Sequence, residues 1–307
     1  MRQITQVLAT IFSLLFIVFL YTSGTSVSTP DAVASPVEDP AEKLPQIIKS
    51  VRLDKVYSFA GEPLPSENFD ALERLDRELL VNSYYHSSTI LNLKNASRFF
   101  PVIEVILAEE GVPADFKYVA VIESNLRNAT SPAGAKGLWQ FMKVSGKGYG
   151  LEISAEVDER YHVEKATRAA CALIKDYKKR FGTWSNAAGA YNMGETRFAA
   201  EMKRQKMDSY YDMNFGAETG RYLFRILAMK EIMQSPQHYG FYVENEGLYR
   251  PLTDCNMHTV DKTITDLGLF AVDNGTTYRM LKLYNPWLIT SRLTVATGKS
   301  YDLKIPQ

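Results

Sequence analysis

The chain has 307 residues, 46% of them hydrophobic, and its 35 Lys and Arg balance 35 Asp and Glu to a formal net charge of zero. That length and composition suit one sizeable packed domain with appendages and exclude a disordered chain. Zero net charge leaves nucleic-acid binding without global electrostatic support.

Ile4 to Tyr21 is an uncharged, mostly apolar run behind Arg2. It is long for a signal-peptide core and about long enough for a membrane helix. An uncleaved N-terminal anchor over 1–21 is expected, with a cleaved signal near Ala32-Val33-Ala34 as the alternative. No cysteine follows the run, so a lipid-modified cysteine is not expected. Either way the rest of the chain is expected outside the cytoplasm. Residues 22–45, rich in Ser, Thr and Pro, read as a linker. As a coil it spans about 25–30 Å. Residues 46–65 place Ile47, Ile48, Val51, Val56, Tyr57 and Phe59 between prolines, and an extended arm over the domain is the expectation.

Helices dominate from 66 to 248. The pattern predicts them at 67–82, 86–98, 101–110, 114–125, 137–149, 159–181, 184–192, 195–206 and 216–234. Ser66 is a candidate N-cap. Pro101 and Pro113 are expected at helix starts, where a missing N–H costs little. Gly111 and Gly182 are expected to end helices. No repeat of a solenoid is visible.

Within this region Glu123 continues an apolar helical stripe through Phe116, Val119 and Ala120. Desolvation there favours the protonated carboxyl. A carboxyl still protonated near neutral pH is what glycosidic cleavage requires. The alternative is a structural glutamate paired with Arg or Lys. After it, Asn125, Asn128, Pro132, Gly134 and Gly137 spell a turning loop that returns Leu138, Trp139, Gln140 and Phe141 toward the acid. Trp139 and Tyr149 are either sugar platforms or core, while Trp184 and Trp287 read as core.

From 249 to 307 the pattern changes. Cys255–Val260 reads as a strand, Ile264–Asp273 and Tyr278–Tyr284 as short helices, and Ser300–Ile305 as a strand. Cys171, inside AACALI, reads as a buried free thiol, although a Cys171–Cys255 disulfide stays open. There is no CxxC, and His86, His162, His238 and His258 are scattered, so no metal and no cofactor is expected.

Glu123-Ser124, Gly137-Leu138-Trp139-Gln140, Ala190-Tyr191-Asn192 and Glu218-Thr219 with Tyr222, in that order, resemble the signature motifs of the lytic transglycosylases. These enzymes have a goose-lysozyme-like domain and cleave peptidoglycan glycan strands. The flanks resemble the subgroup of membrane-bound murein transglycosylase D. The resemblance implies a mainly α fold: a lysozyme-like α-helical catalytic domain over 66–248, after an N-terminal membrane helix and a linker and arm over 22–65. It implies Glu123 as the single catalytic acid/base. It further implies Ser124 orienting Glu123 or touching substrate, Gln140 bonding sugar, Tyr191 and Asn192 lining the site, and Tyr222 closing its far side. Trp139 stands where a Met is usual, and Met193 where an Ala is commoner. The strand–helix–helix–strand order over 249–307, ending in Lys-Ile-Pro, resembles a degenerate LysM glycan-binding module; a small α+β domain that only packs on its neighbour is the alternative. The implied partners are peptidoglycan strands and, through the N-terminal segment, a membrane of the cell envelope, with no protein partner deducible. A goose-lysozyme-like hydrolase and a non-catalytic wall-binding protein remain as alternatives.

Overall fold

A computed structural model describes residues 49–307. The expected membrane segment at 1–21, the linker at 22–45 and the start of the arm lie outside the described residues. Among the described residues no helix is long and apolar enough to cross a membrane.

The arm enters as a two-residue hairpin, β1 (Ser58–Phe59) against β2 (Glu62–Pro63). Its loop, Ala60-Gly61, has positive φ at both positions, which suits the right-handed twist of paired strands. Asp115 fixes it, accepting a bond of 2.7 Å from the Ala60 N–H and one of 2.9 Å from Lys230. Tyr57, Phe59 and Leu64 are buried in the core.

Helix α1 (Phe69–Tyr84) is capped by Asn68, whose side chain accepts from the Ala71 N–H. The expected cap, Ser66, lies two residues too early. Ala71, Leu75 and Leu79 form the buried stripe. Next comes α2 (His86–Glu109), a single helix with Pro101 inside it. Two helices with Pro101 at the start of the second was the wrong expectation. Proline removes one ladder bond, but Ile103, Ile106 and Leu107 bury on its far side and hold the helix in register. After Val112 a 3₁₀ turn, Ala114–Phe116, leads into α3 (Lys117–Ser124).

The predicted helix at 137–149 is mostly loop; only α4 (Lys143–Gly148) is helical. Gly137 and Gln140 take positive φ, and the Lys136 N–H donates to the Phe141 carbonyl. Both features forbid a continuous helix. A 3₁₀ turn, Glu159–Tyr161, precedes α5 (Val163–Phe181), so the predicted start at 159 was early. Then follow α6 (Trp184–Met193), α7 (Glu195–Gln205) and α8 (Ala217–Gln234).

Helix α8 is the central post. Tyr222, Leu223, Phe224, Ile226, Leu227, Ala228, Met229 and Ile232 are all buried, as expected of a helix apolar on nearly every side. It packs on α1, α3 and α6. Gly189 lets α6 approach its surroundings: a Cβ there would lie 2.7 Å from both Phe198 and Tyr210.

Strands β3 (Cys255–Val260) and β4 (Tyr301–Pro306) pair antiparallel, with Cys255 opposite Pro306 and Val260 opposite Tyr301. Between them lie α9 (Leu267–Asp273) and α10 (Tyr278–Tyr284), capped by Asp266 and Thr277. Tyr301, Leu303 and Ile305 face inward in alternation onto Leu267, Ala271, Leu281, Trp287 and Leu288. Cys171 and Cys255 are both free, so the disulfide left open does not form. Residues Ser50–Gln307 make up one compact unit.

Candidate active site

Glu123 occupies the last turn of α3, and the chain must leave the helix there at once. Asn125 and Leu126 both take left-handed φ, at 52° and 53°. Asparagine tolerates that conformation and leucine does not. The strain, about 1–3 kcal/mol for such a residue, is offset because Leu126 is buried. From α2, Asn92 and Asn95 reach over to bond the Asn125 side chain and carbonyl.

The loop beyond returns to the end of α3. Ser124, itself buried, reaches the Leu138 carbonyl at 2.9 Å and the Ala120 carbonyl at 3.0 Å. It ties helix to loop and does not face outward. Trp139 is fully buried and bonds Thr167 at 2.9 Å, which makes it core and not a sugar platform. Its carbonyl accepts 2.7 Å from the Tyr191 hydroxyl on α6. Gln140, left-handed at φ 49°, spends its amide N–H groups on the carbonyls of Ala129 and Gly137. Among the described residues its side-chain carbonyl oxygen makes no hydrogen bond.

From α8, Tyr222 donates its hydroxyl to Glu123 Oε1 at 2.5 Å. One turn earlier Thr219 donates to Asn192 Oδ1 at 2.8 Å, and Asn192 donates to Glu218 at 3.3 Å. These bonds tie α3 to α8 through Glu123 and Tyr222, α6 to α8 through Asn192, and α6 to the loop through Tyr191, with Gln140 next to Trp139 on that loop.

Burial dominates the electrostatics. The Glu123 pKa is raised from 4.5 to about 7: desolvation is the largest cause, opposed by the Tyr222 bond and the charge of Arg225 and aided by Glu218. Desolvation likewise lifts the Tyr191 and Tyr222 hydroxyls well above their ordinary range, so both stay protonated. Other acids hold other partners. Asp115 pairs with Lys230, Glu195 with Arg180, and exposed Glu218 with Asn192. Among the described residues no cluster of three or more His, Cys, Asp and Glu could hold a metal ion.

Arg225 was missed in the sequence. The signal was present: it lies three residues after Tyr222, one turn along the same helix. Asn92 and Asn95 carried no such signal, because only packing brings α2 against Asn125.

Residues 101–214 match the profile of the Transglycosylase SLT domain. The chain carries an SLT domain. Residues 256–307 match the Soluble lytic transglycosylase C-terminal LysM-like domain, in line with the strand–helix–helix–strand reading. The membrane-bound lytic murein transglycosylase D of Escherichia coli is 26% identical over 255 residues, covering 80% of this chain and 54% of that protein, and its namesake from a second strain gives the same figures. The chain thus spans about half the length of these relatives. An Alteromonas protein named for tributyltin chloride resistance is 32% identical over 114 residues, 36% of this chain and 55% of that protein. Among solved structures, an inactive mutant of the lytic transglycosylase Slt of Pseudomonas aeruginosa is similar at TM-score 0.35 and 18% identity, over 49% of this chain and 26% of that one. The SLT match begins inside α2 and ends before α8, so Glu123, Gln140, Tyr191 and Asn192 fall within it and Tyr222 does not.

Proposed function

We propose that the chain is a peptidoglycan lytic transglycosylase, cleaving the β-1,4 bond from N-acetylmuramic acid to N-acetylglucosamine without water. Glu123 is its acid and base. In the first half Glu123 gives its proton to the glycosidic oxygen. The bond from that oxygen to muramic C1 breaks, and charge develops at C1. In the second half the C6 hydroxyl of the same sugar forms a bond to C1 and returns its proton to Glu123. The product is a 1,6-anhydromuramyl end, and the carboxyl is restored.

One observation carries this reading: a carboxyl held near pKa 7 on the Tyr222 hydroxyl, with Asp115 and Glu195 paired to Lys230 and Arg180 and Glu218 bonded to Asn192. Two-carboxylate glycosidases need a second group to activate water or attack the sugar. An internal hydroxyl removes that need, and holding it in place contributes several kcal/mol. Tyr191, Asn192 and the Gln140 carbonyl line the sugar site. The SLT domain lies within 66–248, the LysM-like module spans 249–307, and the segment at 1–21 tethers the protein to the membrane on the periplasmic side of the envelope. The names of the relatives support the substrate and the membrane.

The test is product analysis of purified sacculi digested by the parent and by Glu123→Gln. Anhydro ends, each one water lighter than a reducing end, are expected from the parent alone. Reducing ends would make the protein a muramidase. Equal solubilisation by both proteins would show that the chemistry does not belong to Glu123.

A further inference from the structure

Arg160 has no part in the chemistry above, yet it is a buried arginine, 4% exposed. Its guanidinium forks onto Asp158, with Nε to Oδ1 at 2.8 Å and Nη2 to Oδ2 at 2.7 Å. Nη1 donates to two main-chain carbonyls, Gly134 at 3.1 Å and Phe141 at 3.2 Å. Those carbonyls mark the two ends of the segment that carries Leu138, Trp139 and Gln140. The Arg160 carbonyl lies against the middle of the same segment: a Cβ on Gly137 would stand 1.8 Å from it. Arg160 therefore grips the loop at both ends and between them. The loop in turn offers the Leu138 and Trp139 carbonyls to Ser124 and Tyr191.

Asp158 is held from the opposite side by the C-terminal module. Its N–H donates to the Trp287 carbonyl at 2.9 Å, and the Ile289 N–H donates to the Glu156 carbonyl at 2.9 Å. Val157 pairs with Leu288 as an isolated bridge and is buried in the core of the module. His162 stacks on Trp287, and Arg292, Lys299 and Lys304 pair with Glu156, Glu152 and Glu164. A buried ion pair is costly unless every lone pair and donor is used. Here the fork and the two carbonyls use four of the five guanidinium N–H donors.

We propose that Arg160 is a positioning residue for the loop facing Glu123, and that through Asp158 the C-terminal module is part of the scaffold aligning the site, not a freely swinging binder. The inference rests on the transglycosylase reading.

The test uses the full chain as parent, Arg160→Lys and Asp158→Asn, assayed on a short soluble glycan fragment of peptidoglycan, with folding followed by circular dichroism. Lysine keeps the charge but cannot fork onto Asp158 and still reach both carbonyls. For Arg160→Lys, kcat is expected to fall by roughly tenfold to a hundredfold, because small misplacements cost that much. KM is expected to change by less than about threefold. The alkaline limb of the kcat profile should also move to lower pH, since a loosened loop admits water to Glu123. The charged and titratable groups facing Glu123 are Tyr222, Arg225 and Glu218 on α8 and Tyr191 on α6, and neither variant alters them. Asp158→Asn should give the same two changes in smaller measure, and it decides the matter if Arg160→Lys does not fold. A folded variant with the parent's kcat and pH limb overturns the inference alone. A parent that releases no product overturns the transglycosylase reading and the inference with it.

Discussion

Tyr222 and Glu123, 99 residues apart in sequence, share a hydrogen bond of 2.5 Å, and the tyrosine is the donor. A donor to a carboxylate stabilises the charged form, so this bond works against the desolvation that keeps Glu123 protonated. The balance leaves the group near pKa 7, where one residue can both give and take a proton.

Removing that donor moves the balance one way. In Tyr222→Phe the Glu123 pKa should rise, and the alkaline limb of kcat should shift to higher pH. The rate should fall by roughly tenfold to a hundredfold, because the second half of the proposed reaction needs the anion. A pH–rate series on soluble glycan checks both the direction and the size.

The same carboxyl links stability to pH. Its folded pKa, about 7, exceeds the ordinary 4.5. Glu123 thus costs nothing below the unfolded value and destabilises the fold progressively as pH rises from there through the folded value. The full effect is a few kcal/mol at most, at about 1.4 kcal/mol per unit. Glu123→Gln should therefore be more stable than the parent at pH 8 and about equally stable at pH 4. Urea unfolding of both proteins at the two pH values measures this, and groups common to both cancel in the difference.

The thiols should behave unequally. Burial pushes the Cys171 thiol up to about 12, and the side chain is fully enclosed. Cys255 is free and half-buried at the start of β3. Native protein should show one fast-reacting thiol with a chromogenic disulfide, and Cys255→Ser should show none until denaturant is added.

Gly137→Ala should be among the most damaging single-methyl changes. Its φ is +80°, and the added carbon would collide with the Arg160 main chain, which cannot swing aside as a side chain can. A loss of about 3 kcal/mol or more is expected, with activity falling alongside. Thermal unfolding and a glycan assay on the same preparation check it; by contrast, Gly150→Ala, where a Cβ meets nothing, should be milder.

Local chemistry alone marked out a large part of this protein. The apolar stripe through Phe116, Val119 and Ala120 announced Glu123, because helical spacing puts those residues on one face whatever the rest of the chain does. The strand–helix–helix–strand order near the C-terminus was legible for the same reason: alternation and spacing are properties of a dozen residues. Loop 137–142 was misread as helix because what holds it open, Arg160 on the Gly134 and Phe141 carbonyls and Tyr191 on the Trp139 carbonyl, lies far along the chain. Pro101 was misread as a helix start because interior packing, not local preference, carries α2 through it. Only the tertiary structure decided that Tyr222 bonds Glu123, that Trp139 turns inward to Thr167 while its carbonyl holds Tyr191, and that Arg160 joins the loop to the C-terminal module. Sequence sets what each segment prefers; which buried donor meets which buried acceptor is chosen when the whole core closes and an unpaired polar group becomes costly.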